Sequence, residues 1–179
     1  MSRRRAVRVC YRRPVLSQSL LVFICVVVGA AVPVGCAESL PTHALVRRVV
    51  DGDTIELHDG RLVRYIGIDT PEVRRRSGET WIEDPQPFSK EASAANRALV
   101  EGKPVRLEYD VQTHDRYGRL LAYVYVANQN GTERMVNARL LQEGFAQLLT
   151  IPPDVKYAQR FRALAEEARR AGRGLWRNR

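Results

Sequence analysis

Residues 49–72, VVDGDTIELHDGRLVRYIGIDTPE, constrain the fold more than any other stretch. Two runs, residues 54–57 (TIEL) and 61–66 (RLVRYI), alternate side-chain faces and are rich in strand formers. Asp59-Gly60 between them is a strong two-residue hairpin signal. Asp51-Gly52 marks another tight turn just before Asp53. A hairpin brings its two flanks together. Here the flanks carry Asp51, Asp53, Asp69 and Glu72, with Arg64 between them. Carboxylates that converge at strand ends need a counter-charge, and a hard cation such as Ca²⁺, which takes about six to eight oxygen ligands, supplies one.

The rest of the chain reads as short strands with interspersed helices. Residues 44–50, 105–109 and 121–126 have strand character. Residues 89–100 predict a helix with Ser89 as its N-cap and Ala92, Ala95 and Leu99 on one face. Residues 135–143 predict a second helix, ended by Gly144, and residues 154–171 a third, in which Tyr157, Phe161, Leu164 and Ala168 recur at helical spacing. Residues 113–120 form a polar turn around Tyr117-Gly118. Residues 73–87 show no hydrophobic period, and their prolines, glycine and polar clusters predict a long loop. Five strands with one helix between the third and fourth predict an α+β fold, a five-stranded OB-like barrel with three helices.

The N-terminus has a different composition. Residues 1–20 hold six arginines and no acid, and residues 20–34 are almost wholly apolar. Gly35-Cys36-Ala37 then places small residues where a signal peptidase cuts. The apolar run is shorter than the roughly 20 residues a membrane span needs. Residues 1–37 therefore read as a cleaved export signal, followed by a linker at 38–43 and a folded domain at 44–179. The product would be secreted or periplasmic. Two other readings stay open: an uncleaved N-terminal anchor, and a lipoprotein attached through Cys36. Arg12-Arg13 also gives the leader a loose likeness to a twin-arginine signal. All three cysteines (Cys10, Cys25, Cys36) lie in the leader, so the mature chain has no thiol chemistry and no disulfide. Removing the leader leaves 23 basic and 20 acidic residues, a net charge of +3 against +9 for the full chain. The arrangement of charge then matters more than its sum.

That arrangement suits phosphodiester hydrolysis. The reaction needs a metal to polarise the phosphate and acidify a bound water. It needs a group to take a proton from that water or orient it. It needs rigid cations for the charge that builds on the phosphoryl oxygens, and arginine's planar fork meets that need. Asp53, Asp69, Glu72, Arg64 and Arg119 contain candidates for every role. His43, His58 and His114 do not, since none lies at metal-ligand spacing with another. Tyr109, Tyr123 and Tyr125 read as barrel residues, and Tyr157 and Phe161 as core.

Four segments, VVDGDTIEL from Val49, RYIGIDTPE from Arg64, DRYGRLLAYVYV from Asp115 and MVNARLLQEGFA from Met135, together resemble the staphylococcal nuclease (thermonuclease) family. The resemblance spans nearly the whole mature chain. It implies an OB barrel with three helices, one Ca²⁺ ion, and DNA and RNA substrates cut at the 5′ phosphorus–oxygen bond to leave 3′-phosphates. No oligomer signal is visible in the sequence, so a monomer with no stable protein partner is expected. By the resemblance, Asp53, Asp69 and the carbonyl of Thr70 hold the metal, and Asp51 tunes the metal site. Glu72 is the general base or water orienter, and Arg64 and Arg119 grip the phosphate. Arg116 and Tyr117 match substrate-binding positions, with Arg116 in place of a lysine. Thr150 and Pro152 stand where the family has further nucleotide-packing tyrosines. In residues 73–87, Arg74, Arg75 and Arg76 are candidates to contact flanking phosphates, and Trp81 is a candidate to stack on a base or to anchor the loop. Family members that only bind nucleic acid or peptide, the rival class, typically lose the acids or arginines that this chain keeps.

Overall fold

The computed structural model describes residues 39–72, 74–77 and 80–177, without the side chains at 74–77, 81 and 83. The leader, its cysteines and the side chains of Arg74, Arg75, Arg76 and Trp81 lie outside the described residues. Strands β1 (His43–Asp51), β2 (Thr54–Leu57) and β3 (Leu62–Tyr65) form an antiparallel meander. The Asp59-Gly60 turn joins β2 to β3, with Gly60 at φ 87° and its N–H donating to the Leu57 carbonyl. Two-residue β4 (Ile68–Asp69) follows.

Next comes a departure from the sequence expectation. The segment read as a loop contains a hairpin of β5 (Arg74–Ser77) and β6 (Thr80–Glu83). Three consecutive arginines leave no hydrophobic period in the sequence, so the backbone pairing of this ribbon has no local signal. Helix α1 (Ser89–Val100) occupies the predicted residues, but Ser89 is not its cap. Phe88 holds that place at φ 75°, its ring stacked on Phe145, while the Ser89 hydroxyl donates to the Gln86 carbonyl at 2.7 Å.

Strands β7 (Pro104–Glu108) and β8 (Leu120–Ala127) complete the barrel. β7 pairs antiparallel with β1 and β8, and β8 pairs parallel with β3 through Val63–Leu120, Arg64–Leu121 and Tyr65–Ala122. The ring β1-β2-β3-β8-β7 is thus closed, an α+β OB barrel of five strands with three helices. A short β9 (Glu133–Met135) adds to β8 and leads into α2 (Val136–Gln142), one residue later than its predicted start. β10 (Gln147–Leu148) pairs with β4, and α3 (Ala158–Arg170) begins four residues after its predicted start.

Ile55, Leu57, Val63, Tyr65, Leu107 and Leu120 are among the residues buried in the core, and α2 and α3 add Leu140, Leu141 and Phe161 to it. Buried Asn137 ties α2 to the barrel: its side-chain oxygen accepts from the Val124 N–H, and its amide donates to the Ile66 carbonyl, both at 2.9 Å. The aromatic readings hold at Tyr123 and Phe161, each 1% exposed, while Tyr109, Tyr125 and Tyr157 are partly buried against the same core. Among the described residues no helix is long and apolar enough to cross a membrane.

Candidate active site

The acidic edge is built by three chain reversals meeting. β1 ends at Asp51, Gly52 turns the chain, and Asp53 follows, 2% exposed. Thr70, just beyond β4, folds over this turn. Its N–H and hydroxyl both donate to Asp53 Oδ2, at 2.8 and 3.0 Å. Gly52 is required there, because a Cβ at that position would lie 2.6 Å from Thr70 Oγ1. Thr54 donates its hydroxyl to Asp53 Oδ1. The β2–β3 register sets Arg64 opposite Thr54, beside Asp53. The Arg64 guanidinium pairs with Asp53 Oδ1 through Nη1 and with Asp69 Oδ1 through Nη2, the latter at 2.6 Å. Asp53 and Asp69 therefore approach each other across the Arg64 guanidinium.

Glu72 stands at the rim. Its N–H donates to Gln86 Oε1 at 3.1 Å, and its carbonyl accepts from the Gln86 N–H at 2.9 Å. Burial pushes the Glu72 carboxyl up to about 7, with a hydrogen bond and negative charge from Asp51 adding to the rise and Arg64 opposing it. Asp51 is itself fixed, since its Oδ1 accepts from the Gly52 N–H and its carbonyl accepts from Asn96.

The other wall of the site is the turn between β7 and β8. Gly118 adopts φ 79° and lets the chain reverse within residues 115–119. Asp115 Oδ1 accepts the N–H groups of Tyr117 and Arg119 at 2.9 and 3.0 Å, and its Oδ2 accepts Arg119 Nε at 2.6 Å. Those bonds from Arg119 and Tyr117 outweigh the opposing effect of burial and hold the Asp115 carboxyl below its usual range. Tyr117 is exposed, and the Arg116 and Arg119 guanidinium groups lie 4.8 and 5.6 Å from its ring centre. The β3–β8 pairing brings this turn alongside Arg64. A cleft of about 600 Å³ results, lined among others by Arg64, Ile68, Tyr117, Arg119, Leu149 and Ile151.

Residues 62–178 match the family described as staphylococcal nuclease homologue. The chain is 38% identical over 134 residues to the thermonuclease of Staphylococcus hyicus, covering 73% of both chains. It is likewise 38% identical over 135 residues to that of Staphylococcus intermedius, covering 74% of both. Endonuclease YncB of Bacillus subtilis (strain 168) is 37% identical over 134 residues, which span 72% of this chain and 59% of that protein. The chain belongs to the staphylococcal nuclease family.

The family pattern thus maps onto one cleft and its acidic edge. Asp51, Asp53, Asp69, Thr70, Glu72 and Arg64 lie together, and Arg116, Tyr117 and Arg119 share the turn across from Arg64. Thr150 and Pro152 are exposed, and their neighbours Leu149 and Ile151 line the cleft with aliphatic side chains. Among the described residues no three His, Cys, Asp or Glu side chains converge as a ligand set. The donor chemistry nevertheless fits a hard cation, because the Asp53 and Asp69 carboxylates share one positive group and the Thr54 and Thr70 hydroxyls beside them add oxygen. Sequence reasoning missed Asp115, Gln86 and Asn96. An aspartate four residues before the turn arginine was a readable signal for the first, whereas nothing local marks the other two.

Proposed function

We propose that this member of the staphylococcal nuclease family, a nucleic-acid hydrolase, is an exported calcium-dependent enzyme that cuts both DNA and RNA and leaves 3′-phosphates. The observation that carries the proposal is the joint placement of Arg64 and Arg119 on one cleft, beside the edge formed by Asp53, Asp69 and Glu72. Asp53, Asp69 and the Thr70 carbonyl would hold the calcium ion, and Asp51 would tune their charge. When bound, the ion polarises the phosphate and lowers the pKa of a coordinated water.

The remaining work falls to side chains. Arg64 and Arg119 offer planar donors to the phosphoryl oxygens and strengthen their hold as charge builds there. The Glu72 carboxylate, at the rim beside the acidic edge, is placed to take a proton from water or to orient that water. Arg116 and Tyr117 support the neighbouring nucleotide, the ring by stacking and the guanidinium by charge. The aliphatic Leu149 and Ile151 offer apolar contact to a nucleotide without ring stacking, which suits varied bases.

The test is cleavage of single-stranded DNA and RNA by residues 38–179, in calcium and in excess chelator. Cleavage of both in calcium alone is expected, and persistence under chelator would remove the metal's role. Binding without cleavage in calcium would convert the reading to a non-catalytic module. Mass spectrometry of the mature N-terminus tests export, with a free Glu38 expected and a lipidated Cys36 excluding release.

A further inference from the structure

We infer that Asp115 is a positioning residue for Arg119: it clamps the guanidinium by its Nε edge and so presents the two terminal nitrogens to the scissile phosphate. The inference rests on the proposed reaction and adds a residue to it. Asp115 has divided its oxygens between two jobs. Oδ1 accepts two N–H groups of the turn, so the carboxylate cannot rotate away. Oδ2 accepts Arg119 Nε at 2.6 Å, a short charge-assisted bond. The carboxylate's side chain is 16% exposed and that of Arg119 29%, so the pair is only partly screened by water.

An unanchored arginine on a surface turn samples many rotamers and must lose that freedom when it grips phosphate. A guanidinium already fixed at Nε makes the same grip with less ordering, and it stays in line as the phosphoryl group changes shape. The arrangement has an electrostatic drawback. A carboxylate beside Arg119 weakens the attraction of that arginine for a phosphate in the ground state. Asp115 therefore trades ground-state attraction for geometry, which gives a signature that a merely structural residue would not. Removing its charge leaves KM unchanged or lower while kcat falls.

Asp115→Asn isolates this effect. Its side-chain oxygen can still accept the two turn N–H groups, but its NH₂ then faces Nε as donor against donor. The experiment measures kcat, KM and Tm on a single-stranded oligonucleotide for the wild type, D115N, R119A and D115N/R119A, in calcium. Expected is a roughly tenfold or greater fall in kcat for D115N, with KM no higher, and less than about a twofold further effect in the R119A background. A kcat within about twofold of the wild type, a raised KM with kcat kept, or equal losses in both backgrounds would overturn the inference. Should D115N lose more than about 5 °C in Tm, D115S, whose hydroxyl also accepts from the turn, takes its place in the same cycle. R119A separates the two levels: full turnover there removes Arg119 from the chemistry and the anchor with it, whereas an impaired R119A with additive D115N removes the anchor alone.

Discussion

Arg64 and Arg119 bring the same charge into one cleft from different kinds of ground. Arg64 sits in the barrel wall on β3, with Nη1 on Asp53 and Nη2 on Asp69 and the Ile68 carbonyl. Arg119 sits on a reverse turn and is held by one edge, through Nε, to a single carboxylate. The wall arginine is also the counter-charge of a buried aspartate, so its chemistry and the local fold cannot be separated. The turn arginine also faces a carboxylate, but Asp115 is more exposed than Asp53 and keeps two backbone N–H donors without the guanidinium. Two residues that look equivalent in a reaction scheme thus differ in what the barrel loses without them.

That contrast can be broken at several points. The largest effect is expected for Arg64→Ala. Turnover should fall by roughly a thousandfold or more with the loss of a transition-state donor, and stability by about 3 kcal/mol because Asp53 is left buried without its cation. Kinetics in calcium and thermal melting in chelator report the two effects. If the melting temperature holds, the wall arginine is not the counter-charge described here. Arg119→Ala should cost about a hundredfold to a thousandfold in kcat while Tm moves by no more than about 2 °C. An equal thermal loss in the two variants would erase the distinction between wall and turn. Tyr117→Ala should raise KM roughly fivefold with kcat nearly kept, since a stacked ring gives about 1–3 kcal/mol per base. A steady-state titration with a short oligonucleotide decides it.

The smallest effect lies on Glu108, outside the cleft, and serves as a control for stability without chemistry. Burial acts to raise the Glu108 carboxyl, but hydrogen bonds from Lys156, Tyr157 and Tyr125 overcome it and hold the pKa at about 2, against 4.5 normally. A carboxyl depressed in the folded state stabilises fully above its unfolded pKa and loses that contribution as pH falls. Wild-type Tm should therefore drop more steeply than that of Glu108→Gln between about pH 4.5 and 2, by roughly 5 °C. Parallel melting curves across that window would show that the network carries no linkage.

The two sides of the cleft also differ in how far they could be read from the chain. The acidic edge was legible because a short hairpin with an Asp-Gly turn is local, and its register puts Arg64 beside Asp53. Helix α1 was legible for the same reason, its apolar spacing being continuous from Ser89 to Val100. The cap at Phe88 was not, because a positive φ on an aromatic residue is imposed by packing on Phe145 and not by propensity. The β5–β6 hairpin was hidden by composition, and the two-residue pairing of β10 with β4 is too short to leave a pattern. The turn itself was visible as Tyr117-Gly118, and the family resemblance assigned Arg119 its role. Its nearness to Arg64 depends on a parallel pairing between strands more than fifty residues apart, which no local rule supplies.

The β3–β8 seam has a biological corollary. Each arginine reaches the cleft on a different side of it, so an open chain has phosphate-binding pieces but no instrument that cuts. On the proposed mechanism an unfolded polypeptide is harmless to the nucleic acid of the cell that makes it. Pairing of β8 with β3 is therefore the step that assembles the two arginines into one cutting site.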